Sequence, residues 1–174
     1  MLLADKTHLD EIVMYPNKVI DLLSQNKTIV SLLTNIPNAD IDDVETEKEW
    51  RLCTNDFNYV EGIVLDTRSF ICVDTEIQTD TTEIKSIILT ILVGVHRNAM
   101  SLNNTPFTGM IGNRRDNIVR EIDYTLRNSR EFGIGQLSLK GRIRPVTISS
   151  RDYVCKALEY QVPNFAKSRD ISRV

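Results

Sequence analysis

The chain is poor in the residues that build metal and redox centres. Its three cysteines, Cys53, Cys72 and Cys155, stand far apart, and none shows the CxxC spacing of zinc or dithiol sites. Sulfur-based metal binding is therefore not expected. Cys72 and Cys155 fall in apolar, strand-like patterns, where a free cysteine acts as a small buried hydrophobe. Histidine occurs only as His8 and His96, neither with a second ligand nearby in sequence, and His96 at a strand end reads as structural. An excess of positive charge is also lacking. With a net charge of -3 and a pI near 5.4, the surface has no overall basic excess to neutralise a phosphate backbone, which disfavours sequence-independent nucleic-acid binding. The apolar run from Ile87 to Val95 is shorter than the ~20 residues of a membrane-spanning helix. The start, Met1 to Lys6, lacks the apolar core of a secretory signal, so the protein is expected in the cytoplasm where it is made. No GxxxxGK[ST] phosphate loop, GxSxG elbow or HExxH helix occurs.

What is present is a single soluble α+β domain. The 174 residues, 41% hydrophobic and 26% charged, suffice for one core without disulfides, and no cofactor is implied. Residues 1–165 read as that domain and 166–174 as a polar tail. Val19, Ile20, Leu22, Leu23, Ile29, Val30, Leu32 and Leu33 recur at helical spacing, with Pro16 near the start. From about 35 to 61 the pattern gives way to Asp40, Asp42, Asp43, Glu45, Glu47 and Glu49, which predicts an acidic insertion or arm pinned by Trp50, Phe57 and Tyr59. Gly62 to Leu65 is a short candidate strand. Two long strands follow, about Phe70 to Val73 and Glu83 to His96, rich in β-branched residues and joined by a polar turn at Thr79, Asp80, Thr81 and Thr82. After an irregular stretch from Asn98 to Gly112, Asn113 caps a helix running to Asn128. Ile118, Val119, Ile122 and Leu126 form its apolar face, with Arg114, Arg115, Arg120, Asp123 and Arg127 mostly elsewhere. Gly133 and Gly135 relax the backbone before strands at about Gln136 to Arg142 and Tyr153 to Val162. The predicted order is α-β-β-β-α-β-β, with one long helix on a mainly antiparallel sheet of four to five strands.

Two weak motifs point to reactions on nucleic acid. Gly109-Met110-Ile111-Gly112 is a GxxG of the kind that clamps a backbone in KH modules, but the element order does not supply a KH domain. Glu83-Ile84-Lys85 is an ExK on a strand, with Asp66 or Asp74 upstream. Together they resemble the carboxylates and lysine of magnesium-dependent PD-(D/E)xK nucleases, without the usual proline-aspartate.

A longer resemblance covers residues 68–165. Ser69-Phe70-Ile71, the strand ending Val95-His96-Arg97, Gly112-Asn113-Arg114-Arg115-Asp116-Asn117-Ile118, Phe132-Gly133-Ile134-Gly135-Gln136-Leu137-Ser138-Leu139 and Leu158-Glu159-Tyr160-Gln161-Val162-Pro163-Asn164-Phe165 together resemble tailed-bacteriophage neck proteins, nearest to tail terminators and tail-completion proteins. The resemblance implies assembly rather than catalysis: a homo-oligomeric, hexameric ring in the virion that ends the tail tube and meets the head connector. The tail-tube protein, a head-completion protein and the sheath are its implied neighbours, and DNA is passing cargo. Within it, Thr79, Asp80, Thr81 and Thr82 are expected to reach axial or neighbouring partners, and Arg114, Arg115 and Arg120 to meet acidic surfaces. Another head-completion protein, a chaperone-like assembly factor of the same neck and the nuclease are the alternatives.

Overall fold

The computed structural model describes residues 8–57, 67–79, 85–103, 105–107, 109–129 and 138–162. Helix α1 spans His8–Ser24, α2 Lys27–Thr34, α3 Val44–Cys53 and α4 Arg114–Asn128. The strands are β1 Thr54–Asn55, β2 Ser69–Thr79, β3 Lys85–His96, β4 Ser138–Val146 and β5 Tyr153–Val162. They form one sheet in the order β1-β2-β3-β5-β4. β1 runs parallel to β2, and the other pairs are antiparallel. This is the α+β architecture expected from the sequence, helices first and one long helix on the sheet. The candidate strand at 62–65, the turn residues Asp80, Thr81 and Thr82, Gly133, Gly135 and the tail after Phe165 lie outside the described residues.

Local chemistry sets the helix ends. The Asn26 side chain accepts from the Thr28 and Ile29 amides to open α2, and Asn35 closes it in the left-handed region at φ 63°. Asn113 opens α4 as expected, accepting from the Asp116 amide at 2.9 Å. Helix α1 begins at His8, about two turns before Pro16, which therefore lies inside it. Segment 35–57 is not an irregular excursion. Asp43 caps α3 by accepting from the Thr46 amide, and Thr46, Trp50 and Cys53, spaced by four and three, point into the core.

The sheet buries apolar residues on both faces, which is why β3 reads as an almost unbroken apolar run. On one face Ile71, Val73, Ile87, Leu89, Ile91, Val93, Leu158 and Tyr160 pack with Tyr15, Val19 and Leu23 of α1, with α2, and with Ile118, Val119, Ile122 and Leu126 of α4. Each fully buried Leu or Ile there contributes about 1.5–3 kcal/mol. On the other face Phe70, Cys72, Leu92, Cys155 and Ala157 form a second cluster. The Tyr160 hydroxyl donates to Asp123 Oδ1 at 3.1 Å, tying β5 to α4. Among the described residues β4 is the outer strand beyond β5. It carries Pro145, whose missing amide proton an edge position tolerates, and a register irregularity between Leu139 and Ile143.

Candidate functional site

Where β2 begins and β3 ends, the C-terminus of α2, helix α3 and the N-terminus of α4 converge on a cleft of about 420 Å³, lined by polar side chains including Asn35, Glu49, Arg68, Asn98 and Arg114. Arg114 determines its structure. The side chain is only 3% exposed. Its Nη1 donates to the Leu32 carbonyl at 2.8 Å, Nη2 to Asn35 Oδ1 at 2.8 Å and Nε to the Ala99 carbonyl at 2.9 Å. The guanidinium lies 5.4 Å from the Phe107 ring centroid. Because α2 stops at Asn35, Leu32 lacks a helical donor, and the arginine supplies one at the negative end of that helix. Burial lowers the Arg114 pKa, yet arginine keeps its proton in such a site.

The resemblance to neck proteins leads to the expectation that Arg114, Arg115 and Arg120 meet acidic partner surfaces. For Arg114 the structure corrects this: its donors are used inside the chain, and no surface remains for a partner. Arg115 is largely buried and pairs at 3.0 Å with Asp116, which also holds Lys156 Nζ at 2.7 Å and accepts from Asn113 Nδ2 at 2.8 Å. Burial opposes ionisation of Asp116, but these donors outweigh it and lower its pKa. Arg120 is exposed and pairs with Glu121 at 3.1 Å. One turn further, Tyr124 is 68% exposed, followed by Arg127 on Asp123 at 2.9 Å. Of the three arginines expected at a partner surface, Arg120 is therefore the exposed one, and Tyr124 and Arg127, outside that expectation, lie exposed on the following turn. Thr79 is the last residue of β2, paired with Lys85, and Asp80, Thr81 and Thr82 fall outside the described residues.

The nuclease constellation gains no support from the register. Asp74 pairs with Thr90 whereas Lys85 pairs with Thr79, five residues away along β3, roughly 16 Å. In such a site the lysine reaches the phosphate beside the metal-bound carboxylate, which a backbone offset of this size prevents. Glu83 and Asp66 lie outside the described residues. His96 Nδ1 accepts from the Asn98 amide at 3.2 Å, and its ring stands edge-on to Tyr153 at 5.3 Å, a structural arrangement. Burial pushes the Cys53 thiol up to about 11, so it does not serve the cleft as a thiolate. Among the described residues, no three His, Cys, Asp or Glu side chains gather closely enough to hold a metal ion.

Sequence reasoning passed over the exposed apolar side chains. Ile111 is 90% exposed in the loop before α4, next to Gly112 at φ 92°. Val44 is 80% exposed at the start of α3, and Leu52 is exposed two turns on. The available signal for Ile111 was an apolar residue between two glycines outside any periodic segment. For Val44 and Leu52 it was an eight-residue spacing along an otherwise charged helix. A family model described as YomW matches residues 26–162, from the cap of α2 to the last residue of β5. No curated protein and no solved structure matches the chain.

Proposed function

Because the chain belongs to the YomW family, a phage-associated family, we propose that it is a structural protein of the phage neck, forming a ring that terminates the tail tube and joins it to the head connector. It works without catalysis, through contacts with its own copies, the tail-tube protein and the connector or head-completion protein. It assembles in the host cytoplasm and ends in the virion. The observation that carries this reading is the order of elements: N-terminal helices, the long β2–β3 hairpin, α4 packed on the sheet, then β4 and β5 returning with β5 against β3. That order is the one implied by resemblance to tail terminators. The acidic balance also suits a channel that DNA traverses, since a strongly basic lumen would retain it.

The test is the solution mass of the purified protein, alone and with its tail-tube protein, by light scattering together with negative-stain imaging. Rings, or tubes capped at finite length, are expected. A monomer that leaves tubes growing would overturn the reading.

A further inference from the structure

Among the described residues, the two outer strands of the sheet, β1 and β4, lie beside opposite charge. On the β1 side, α3 and the turn before it bring together six carboxylates, Asp40, Asp42, Asp43, Glu45, Glu47 and Glu49, against two cations of the same segment, Lys48 and Arg51. Asp40 pairs with Lys27, Glu47 with Arg51, and Glu49 lies 3.8 Å from Arg68, while Asp43 caps the helix. Asp42 and Glu45 are exposed and form no ion pair among the described residues. Val44 and Leu52 are exposed on the same helix. On the opposite edge, β4 carries Lys140, Arg142 and Arg144 and no carboxylate, with Ile143 exposed between two of the arginines. Arg144 pairs with Glu159 at 3.0 Å. Four strand spacings separate β4 from β1, roughly 19 Å.

We propose that the chain associates head to tail with a second copy of itself, the acidic α3 edge of one subunit meeting the basic β4 edge of the next. A twofold dimer would bring like edges together, whereas a repeated edge-to-edge contact joins unlike ones. Val44 and Leu52 opposite Ile143 supply an apolar centre, and the charges supply the rim that sets orientation. This deepens the ring reading above and rests on it for closure, while the association itself rests on the charges.

The experiment reverses each edge separately. Asp42→Lys with Glu45→Lys makes both edges basic, and Lys140→Glu with Arg142→Glu makes both acidic, leaving the Arg144 pair in place. Wild-type protein is expected to oligomerise at low salt and to weaken at about 0.5 M salt. Each variant alone is expected to associate on the order of 100-fold more weakly, because like charges now meet. An equimolar mixture restores the oligomer, since each variant finds its complement only in the other, and that restoration shows both are folded. Variants that oligomerise alone like wild type, or a mixture of folded variants that stays monomeric, overturn the proposal. Reversals that abolish tube capping but leave self-association intact would give these edges to the tube protein and also overturn it. Wild-type capping and ring formation that survive both reversals would sink the edge assignment and spare the neck reading. Wild-type protein that oligomerises through these edges but never caps a tube would do the opposite.

Discussion

Phe70 and Gly94 face each other across the β2–β3 pair, and the phenylalanine ring occupies the space that a side chain at Gly94 would need. A Cβ at Gly94 would stand under 3.0 Å from three ring atoms. The ring has little freedom to retreat, because it is fully buried and Tyr153 meets it edge-on at 5.3 Å. An aromatic ring over a strand glycine pins the register here. Gly94→Ala is therefore expected to lower stability by about 1–3 kcal/mol through overpacking. In a Phe70→Ala background the same change is expected to cost much less, and urea midpoints of the four proteins give the coupling. Additive effects would show that the ring is not what excludes the side chain.

Arg114 is predicted to be a stability residue. Arg114→Met removes the donor to Leu32, Asn35 and Ala99 and leaves buried acceptors unpaired, at an expected cost of about 3 kcal/mol. Arg114→Lys recovers only part of this, because an ammonium lacks the planar fork that reaches three acceptors. Arg120→Glu, on the exposed face of α4, is expected to change stability by under about 0.5 kcal/mol. Thermal unfolding of the three variants decides it. Equal stability for Arg114→Met and wild type would refute the internal role. A loss of ring formation in Arg114→Glu would report unfolding, so interface tests belong at Arg120, Tyr124 and the sheet edges.

The legible parts of the fold were those where one physical signal dominates. β2 and β3 announced themselves through β-branched residues, and α4 through Asn113 and the spacing of Ile118, Ile122 and Leu126. Helix α3 was hidden because its buried stripe consists of Thr46, Trp50 and Cys53, of which only one is a large hydrophobe, among glutamates that suggest solvent. Its start signal was present in Asp43, with Glu45 and Glu47 in the first turn, and an acidic composition outweighed it. The burial of Arg114 was not legible at all. A residue in the first turn of a helix faces whatever the preceding loop folds over it, and the partners lie 79 and 82 residues away in sequence. Opposite charge on the two sheet edges required the strand order, which places β4, next to last in sequence, outside β5.

All three thiols are buried, and they are expected to be chemically silent in the native protein. Burial pushes Cys53 and Cys155 up to about 11 and Cys72 up to about 12. Almost no thiolate therefore exists near pH 8, and reagent must wait for an opening of the structure. Labelling with a chromogenic disulfide is expected to run at least ~100-fold more slowly than in urea, with three thiols appearing on unfolding. One thiol reacting at the rate of free cysteine would contradict this and direct attention to its surroundings.

Asp116 predicts a pH dependence. Burial opposes its charge, but Lys156, Asn113 and Arg115 hold its pKa below the ordinary value, so the folded state binds this proton less readily than the unfolded chain. The stabilisation is therefore fully present above the unfolded pKa of about 3.9 and disappears as pH falls through the lower folded value. The carboxylate is more than a third exposed, so screening keeps the effect under about 1 kcal/mol. Asp116→Asn is expected to be less stable than wild type at pH 7, with the gap narrowing as the pH approaches 3. Urea midpoints at the two pH values measure it. An equal gap at both would mean that the geometry of the Asn113–Asp116 contact, rather than the charge facing Lys156, holds the start of α4 against β5.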